Sequence, residues 1–356
     1  MSRSLRFFEA VIVYRTVLAV VLVAVVATSR VGRAQIAPSG PPHPTSYTQI
    51  LELYQRDQID AALSALAVLS EEDVRSGQKL MIKALEQSGA VELLLRVGAL
   101  LHTEAAFRLS NSSSLGTVRH LAFAREYLEQ LADRRRDSFV RDCWVMLIAF
   151  YQGRFELVRA HELVRAAHES AGDSPELWLA AGVTEEMAWT MTHADDYHDF
   201  IAGDLKEAES AYRKALAAQP DLAEARVRLG RVLTLRGDID GALRELDALG
   251  SIDDSGFRYL AHLFAGDALE RGGRAPAAEQ RYTAAFAALP EGQSARLALA
   301  HLRHAAGARA AAAEAAGAAA RDRRVGETVD PWFWYTRGLS WRAGRLLSTL
   351  REQVRR

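Results

Sequence analysis

Apolar residues recur three and four positions apart along most of the chain. The segment 205–216 shows this spacing, because its apolar residues are Leu205, Ala208, Ala211, Tyr212, Ala215 and Leu216. The spacing puts one apolar stripe on a helix of 3.6 residues per turn, and no segment sustains the alternation of a strand. Proline is missing between Thr45 and Ser174, and later prolines stand where a helix begins or has just ended. The pattern predicts an all-α chain.

Blocks of similar sequence follow one another in the second half of the chain. Blocks beginning at 175, 223, 259, 293 and 331 carry a small residue seven positions after their start, namely Gly182, Gly230, Gly266, Ala300 and Gly338. A second shared pair of positions holds Ala208 with Tyr212, Ala242 with Leu246, and Ala278 with Tyr282. The fourth position is tryptophan in the blocks at 141, 175 and 331, as Trp144, Trp178 and Trp334. A period near 34 residues indicates a repeat architecture.

These positions resemble the tetratricopeptide repeat, whose pattern is W-x2-L-G-x2-Y, then A-x3-F, then P. The resemblance covers about 45–350 and is strongest over 204–320. It implies a helical-hairpin solenoid, a right-handed superhelix of antiparallel helix pairs in which each pair buries its apolar face against the next.

The sequence predicts five segments along the chain. They are a signal peptide or membrane anchor (1–34), a proline-rich linker (35–46), divergent N-terminal helical hairpins (47–140), a repeat array with an insertion at about 187–203 (141–324), and tryptophan-rich capping helices (325–356). The aromatic run Pro331–Tyr335 is expected to close the end of the stack. Its alternative role is an exposed aromatic patch that binds a partner.

The N-terminus has the features of an export signal. Arg3, Arg6 and Arg15 precede an apolar run over 17–27, and small residues before Gln35 offer a cleavage site. Counting back to Phe7 gives a 21-residue stretch interrupted by two charged residues, so a retained membrane anchor stays open. We expect an exported, bacterial-type protein of the periplasm or cell envelope, which meets a membrane only through this segment if it is not cleaved.

Composition removes several classes of function. The formal net charge is -1, which argues against a nucleic-acid partner. The single cysteine, Cys143, excludes an internal disulfide and a four-cysteine zinc site, and its apolar neighbours predict a buried, unreactive thiol. No nucleophile and base can be assembled from the sequence, so we expect no enzyme and no cofactor.

Imidazoles and carboxylates concentrate only in the insertion. Weak metal candidates there are His193, Asp196 and His198, with Asp195 and Asp199 beside them. The two histidines are five residues apart, about 140° around a helix, so they would converge only in a loop. A metal-binding or hydrolytic activity at 193–199 is therefore the alternative function, and a solvated polar insertion is the simpler interpretation.

The family resemblance implies that the first helices of successive repeats line a concave groove that holds a peptide or helix of another protein. The groove positions in this chain are Glu186, Val227, Arg231, Leu263, Asp267, Glu270 and His301. Their chemistry is mixed, and the basic, asparagine-rich groove of the family's chaperone cofactors is missing. We expect a non-enzymatic protein–protein interaction scaffold of the bacterial cell envelope.

Overall fold

The computed structural model of the protein describes residues 46–86, 91–109, 114–194, 203–321 and 330–355. Seventeen α-helices and one 3-10 helix make up the ordered elements of these ranges, and none of the ranges contains a strand. The all-α prediction is therefore confirmed. The predicted signal or anchor, and all but the last residue of the linker, lie outside the described residues. Among the helices that are described, none is long and apolar enough to cross a membrane.

Three helices begin the fold: α1 (Tyr47–Gln55), α2 (Ile59–Leu66) and α3 (Glu71–Leu85). Six helix pairs follow in chain order. They are α4 (Val91–Leu109) with α5 (Ser114–Ala132), α6 (Ser138–Gly153) with α7 (Leu157–Ala171), α8 (Pro175–Ala194) with α9 (Leu205–Ala218), α10 (Ala223–Arg236) with α11 (Ile239–Asp247), α12 (Ser255–Arg271) with α13 (Ala275–Ala288), and α14 (Ser294–Ala305) with α15 (Arg309–Arg321). Each pair packs against itself and against the next pair, and the first helices also contact one another. This is the stacking of a helical solenoid.

Small residues of the first helices let an aromatic ring of the second helix approach the backbone. A Cβ atom at Gly182 would lie 2.5 Å from Cε1 of Tyr212, and one at Gly98 would lie 2.6 Å from Cζ of Tyr127. Both distances are far below van der Waals contact, so only glycine fits at these positions. The close approach of glycine and tyrosine packs the two helices of each of these pairs against each other.

The extra residues of the divergent repeats lengthen helices. In the stretch 91–138, α4 and α5 are 19 residues each. In the insertion at 187–203, α8 continues to Ala194, and Asp204 then caps α9 by accepting a hydrogen bond from the Lys206 amide at 2.7 Å. Residues 195–202 of this insertion lie outside the described part.

The C-terminal segment differs from the expected end cap. It comprises α16 (Pro331–Tyr335), a 3-10 helix (Gly338–Arg342) and α17 (Ala343–Arg355). Helix α16 packs on α12, the 3-10 helix on α8 and α6, and α17 on α6 and α4, so the chain runs back along the first helices of the array. Gly338 has a φ of 63° and begins the 3-10 helix, whereas the repeat register would place it inside an α-helix. The block at 331 therefore packs along the first helices of the array and does not close its end.

Candidate partner-binding groove

The predicted groove residues occupy equivalent positions on successive first helices. Val227 and Leu263 lie three residues before the small residue of their repeat, Arg231 and Asp267 one residue after it, and Glu186 four residues after it. Since residues three and four apart share a helix face, these side chains line one side of the array. Glu270 lies four residues after its small residue, as Glu186 does, and His301 lies one residue after its small residue, as Arg231 does.

Burial divides the seven residues into two sets. Four are buried, namely Glu186, Val227, Arg231 and Leu263. The other three are partly or largely exposed: the side chains of Asp267, Glu270 and His301 are 39%, 24% and 45% exposed. The C-terminal segment covers the buried set, because Val227 and Leu263 share a hydrophobic cluster with Tyr335.

Glu186 is the polar centre of the covered half. Its carboxylate accepts a hydrogen bond from the Tyr212 hydroxyl at 2.7 Å and a very short one from the Tyr335 hydroxyl. The guanidinium of Arg228 contacts the same carboxylate at 3.4 Å. Burial, and then the Glu186 charge, raise the pKa of Tyr335 well above its ordinary value, so the phenol stays a donor.

Arg228 joins the array to the C-terminal segment from a fully buried position. Its Nε donates to Glu224 at 3.0 Å, and its Nη2 donates to the Tyr335 carbonyl at 3.1 Å. The guanidinium lies 4.1 Å from the centre of the Tyr335 ring. Burial alone would lower the pKa of Arg228, but the surrounding groups, Glu224 foremost, raise it. The arginine is therefore a fixed cation.

Arg231 supplies the second cation of the covered half. Its guanidinium lies 4.5 Å from the Trp332 ring, 5.3 Å from the Tyr335 ring and 5.5 Å from the Phe264 ring. Trp332 and Tyr335 are three residues apart and stack on one face of α16. Two aromatic residues of the segment are thus held by a cation–π contact from the groove.

Gln152 of α6 forms a hydrogen bond with the backbone of the C-terminal segment. Its amide nitrogen donates to the Ala180 carbonyl and the Thr184 hydroxyl of α8, which orients the side chain. The amide oxygen then accepts the Leu339 N–H at 2.9 Å. A Cβ at Gly338 would lie 2.7 Å from this oxygen, so glycine is needed there for the close approach as well as for its positive φ.

The two ends of the segment have polar anchors of their own. Asp330 accepts hydrogen bonds from the Ser294 amide at 2.7 Å and the Tyr259 hydroxyl at 3.2 Å. At the other end, the Nε of Arg351 donates to Glu104 at 3.0 Å, and the Tyr54 hydroxyl donates to the same carboxylate. The segment thereby spans from α12 and α14 to the N-terminal helices.

Sequence reasoning missed Gln152, Glu224 and Arg228 as groove residues. Glu224 and Arg228 form an i, i+4 pair that looks like a solvated helix face in the sequence, and Gln152 directly precedes the last residue of α6. Their partners lie more than 100 residues away in the chain, as the Arg228–Tyr335 and Gln152–Leu339 separations of 107 and 187 residues show. A local pattern carries no signal for such contacts.

The uncovered half of the groove lies on α14 and on the last turns of α12, after the buried Leu263. His301 Nδ1 lies 3.3 Å from Oε1 of Glu270. The Tyr282 hydroxyl donates a hydrogen bond to Oε2 of the same carboxylate at 2.9 Å. Asp267 pairs with Arg271 one turn along α12. Leu297, in the position of Val227 and Leu263, is 48% exposed. This stretch therefore offers an apolar residue beside carboxylates and an imidazole.

The proposed metal site falls largely outside the described residues. Asp195, Asp196, His198 and Asp199 lie there entirely, and the backbone of His193 is in α8. Within the described ranges, no group of three histidine, cysteine or acidic side chains could hold a metal ion. Cys143 is fully buried, as predicted, and burial raises the pKa of its thiol well above the ordinary value.

The helix pairs, their small-residue contacts and the shared face of the first helices together define a tetratricopeptide-like helical solenoid. Residues 200–263 match the family model described as tetratricopeptide repeat. The human protein "Tetratricopeptide repeat protein 34" is 38% identical over 78 residues, which are 22% of this chain and 13% of that protein. The chain therefore carries tetratricopeptide repeat sequence over 200–263, within the stretch where the predicted repeat pattern is strongest. The match spans about an eighth of the human protein.

Two solved bacterial structures are similar over part of the chain. PilF from Pseudomonas aeruginosa is 17% identical with a TM-score of 0.43, covering 60% of this chain and 90% of that one. MamA from Desulfovibrio magneticus RS-1 is 16% identical with a TM-score of 0.40, covering 57% of this chain and 97% of that one.

Proposed function

We propose that this chain is a non-enzymatic protein–protein interaction scaffold of the bacterial cell envelope, which holds a peptide or helix of a partner on its concave face. Solenoids of this fold are generally scaffolds, because stacked repeats form an extended concave binding surface. The observation that carries the proposal is the occupancy of that surface by the chain's own residues 330–355. A face that binds 26 residues through both apolar and directed polar contacts is suited to peptide recognition.

The uncovered half is the part of this face that a partner reaches first. Leu297 and His301 are about half exposed, and they continue the line of Val227 and Arg231. An apolar contact flanked by charged groups is the usual composition of a transient interface. We assign the first contact with the partner to α12 and α14.

The test is crosslinked affinity capture from envelope extract with the full chain. The variant carries Leu297→Glu and His301→Glu, which place two carboxylates beside Glu270 on the open face. The control is Val158→Glu on α7, a second helix of a pair, where valine is 39% exposed. A protein captured by the wild type and the control, but lost from the variant, is the expected result. Equal capture by all three chains contradicts a binding site on α12 and α14.

The envelope location rests on the N-terminal sequence. Arginines followed by an apolar run are typical of export signals. N-terminal sequencing of the protein from an exporting host decides between the two forms: a start at Gln35 identifies a cleaved signal, and an intact Met1 in the membrane fraction identifies a retained anchor. Recovery from the cytoplasm with an intact N-terminus contradicts the location.

A further inference from the structure

The segment 330–342 has the character of a bound ligand. Helix α16 and the 3-10 helix are five residues each, too short to be stable apart from the surface that binds them. Pro331, Tyr335, Gly338 and Leu339 are buried, whereas the other side chains of α16 and the 3-10 helix keep part of their surface in solvent. A few buried anchors joined by half-exposed residues are typical of a peptide in a groove.

We propose that residues 330–342 are an internal ligand of the groove, and that the partner is a peptide segment of the same chemistry which replaces it. This inference rests on the proposed function. The partner segment then carries a carboxylate at its start and two aromatic residues three positions apart, of which the second bears a hydroxyl. A glycine follows this hydroxyl-bearing residue three positions later, and a leucine with a free N–H follows it four positions later.

The requirement for the same chemistry follows from the groups that the segment leaves behind. Release of the segment exposes Arg228, which is fully buried with the segment in place. It also removes the Leu339 N–H from the Gln152 oxygen and the Tyr335 hydroxyl from Glu186. A buried polar group that loses its partner destabilises the complex, so an apolar replacement binds poorly. An occupant that restores the phenol, the backbone N–H and the aromatic faces for Arg231 binds best.

Helix α17 keeps the internal ligand close after release. Leu350 and Val354 are buried against the array, and Arg351 pairs with Glu104 of α4. A tethered segment competes with a free peptide at a high effective concentration. A partner therefore binds weakly while the segment is docked, and binds more tightly when the docked form is destabilised.

The experiment measures fluorescence anisotropy of a labelled synthetic peptide with the sequence of residues 330–342, added to the full chain. One variant weakens the internal ligand with Tyr335→Ala and Leu339→Ala. A second variant locks it with Gly153→Cys and Ser340→Cys, since a Cβ at Gly153 would lie 2.7 Å from the Ser340 Cβ, close enough for a disulfide after a small outward shift. The matched control is the same locked chain after reduction. A peptide carrying the two alanines is the specificity control.

We expect the peptide to bind the weakened chain at least tenfold more tightly than the wild type. Binding to the locked chain disappears on oxidation and returns on reduction, which keeps the test decisive if the weakened chain fails to fold. Absence of binding to both the weakened and the reduced chain overturns the inference, and so does equal binding to the oxidised and reduced chains. If these fail while the capture experiment still loses its partner through Leu297→Glu and His301→Glu, the scaffold function stands and only the internal-ligand inference is lost.

Discussion

Glu186 shows how a buried carboxylate is stabilised in this fold. Its side chain is 3% exposed, and it is satisfied by the hydroxyls of Tyr212 and Tyr335 and by the guanidinium of Arg228. Tyr212 belongs to the repeat itself, whereas Tyr335 comes from the C-terminal segment. The carboxylate therefore links local repeat packing to docking of the segment, and removal of either donor leaves a charge with too few partners.

Replacing Tyr335 with phenylalanine tests this link. Tyr335→Phe keeps the ring under Arg228 but removes one donor from a buried carboxylate, so we expect the free energy of unfolding to fall by about 1–3 kcal/mol in urea denaturation. The matched control is Tyr282→Phe, whose hydroxyl donates to Glu270, a side chain that is 24% exposed and can turn to water. The control should lose less. Equal losses would contradict the role given to burial at Glu186.

Replacing Gly182 with alanine tests the close packing of the first helix against Tyr212. Gly182→Ala puts a methyl group into the Tyr212 ring, and overpacking of this kind lowers the free energy of unfolding by about 1–3 kcal/mol. Gly344 of α17 is the control, because a Cβ there meets nothing within 4 Å. Gly344→Ala should leave stability unchanged or raise it by up to about 1 kcal/mol. Thermal or urea unfolding of both variants gives the comparison, and a neutral Gly182→Ala would refute the packing.

The same hydrogen bond between a tyrosine and a glutamate occurs in two helix pairs. In the pairs α8/α9 and α12/α13, the residue four positions after the glycine is a glutamate that accepts the tyrosine hydroxyl. In α4/α5 the same position is His102, and Tyr127 reaches it through the hydroxyl of Tyr47. The divergent first pair therefore keeps the geometry of the repeat and exchanges a carboxylate for an imidazole. The glycine and tyrosine positions recur within each repeat, so the sequence pattern identifies them, whereas the hydrogen bonds of the tyrosines appear only in the structure.

The imidazoles of α4 and α5 make the stability of these elements depend on pH. His102 Nδ1 and His120 Nδ1 lie 2.9 Å apart, and both side chains are buried. Burial lowers the pKa of His102 well below its ordinary value and lowers that of His120 to about 4. The unfolded chain therefore binds more protons than the folded chain between about pH 6.5 and pH 4, and the free energy of unfolding falls as the pH falls through this range.

Urea denaturation from pH 7 to pH 4.5 measures this dependence. His120→Asn leaves a polar partner near His102 Nδ1 but removes one titrating group, so we expect a shallower loss of stability than in the wild type. Asp142 acts in the opposite direction, because burial raises its pKa to about 6, and it is present in both proteins. The difference between the two proteins therefore reports the titration of His120 together with its effect on His102. Identical pH profiles would contradict a buried, neutral His120.

At the scale of the whole molecule, the path of the C-terminal segment is the feature that the sequence could not predict. Trp334 and Gly338 fit the repeat register, so the sequence predicts that the block at 331 closes the end of the stack. The segment lies against the first helices, where Tyr335 and Leu339 contact apolar and polar groups of the array. Its contacts join residues as distant as Arg351 and Glu104, 247 positions apart, and neither periodicity nor motif spacing carries that information.

For the partner-binding positions, one property follows from the sequence and another depends on the docked segment. Their placement on one concave face follows from the helical spacing of the repeats, which the sequence contains. Their division into a covered set and an open set depends on the docked segment. Substitutions at Val227 would therefore disturb the core, since this residue is completely buried, whereas Leu297 and His301 can be changed on the surface.

The most direct test of the account is the distance between the C-terminal helix and the N-terminal helices. Spin labels at Gln58→Cys and Gln353→Cys, both exposed positions, report it by double electron–electron resonance. Cys143 is buried, and the labelled wild type measures any background. Because Arg355 pairs with Asp57, the docked segment predicts a distance below about 25 Å, a few helix diameters at most. A segment that caps the far end lies beyond five further first helices, and a distance above about 40 Å would contradict the occupied groove.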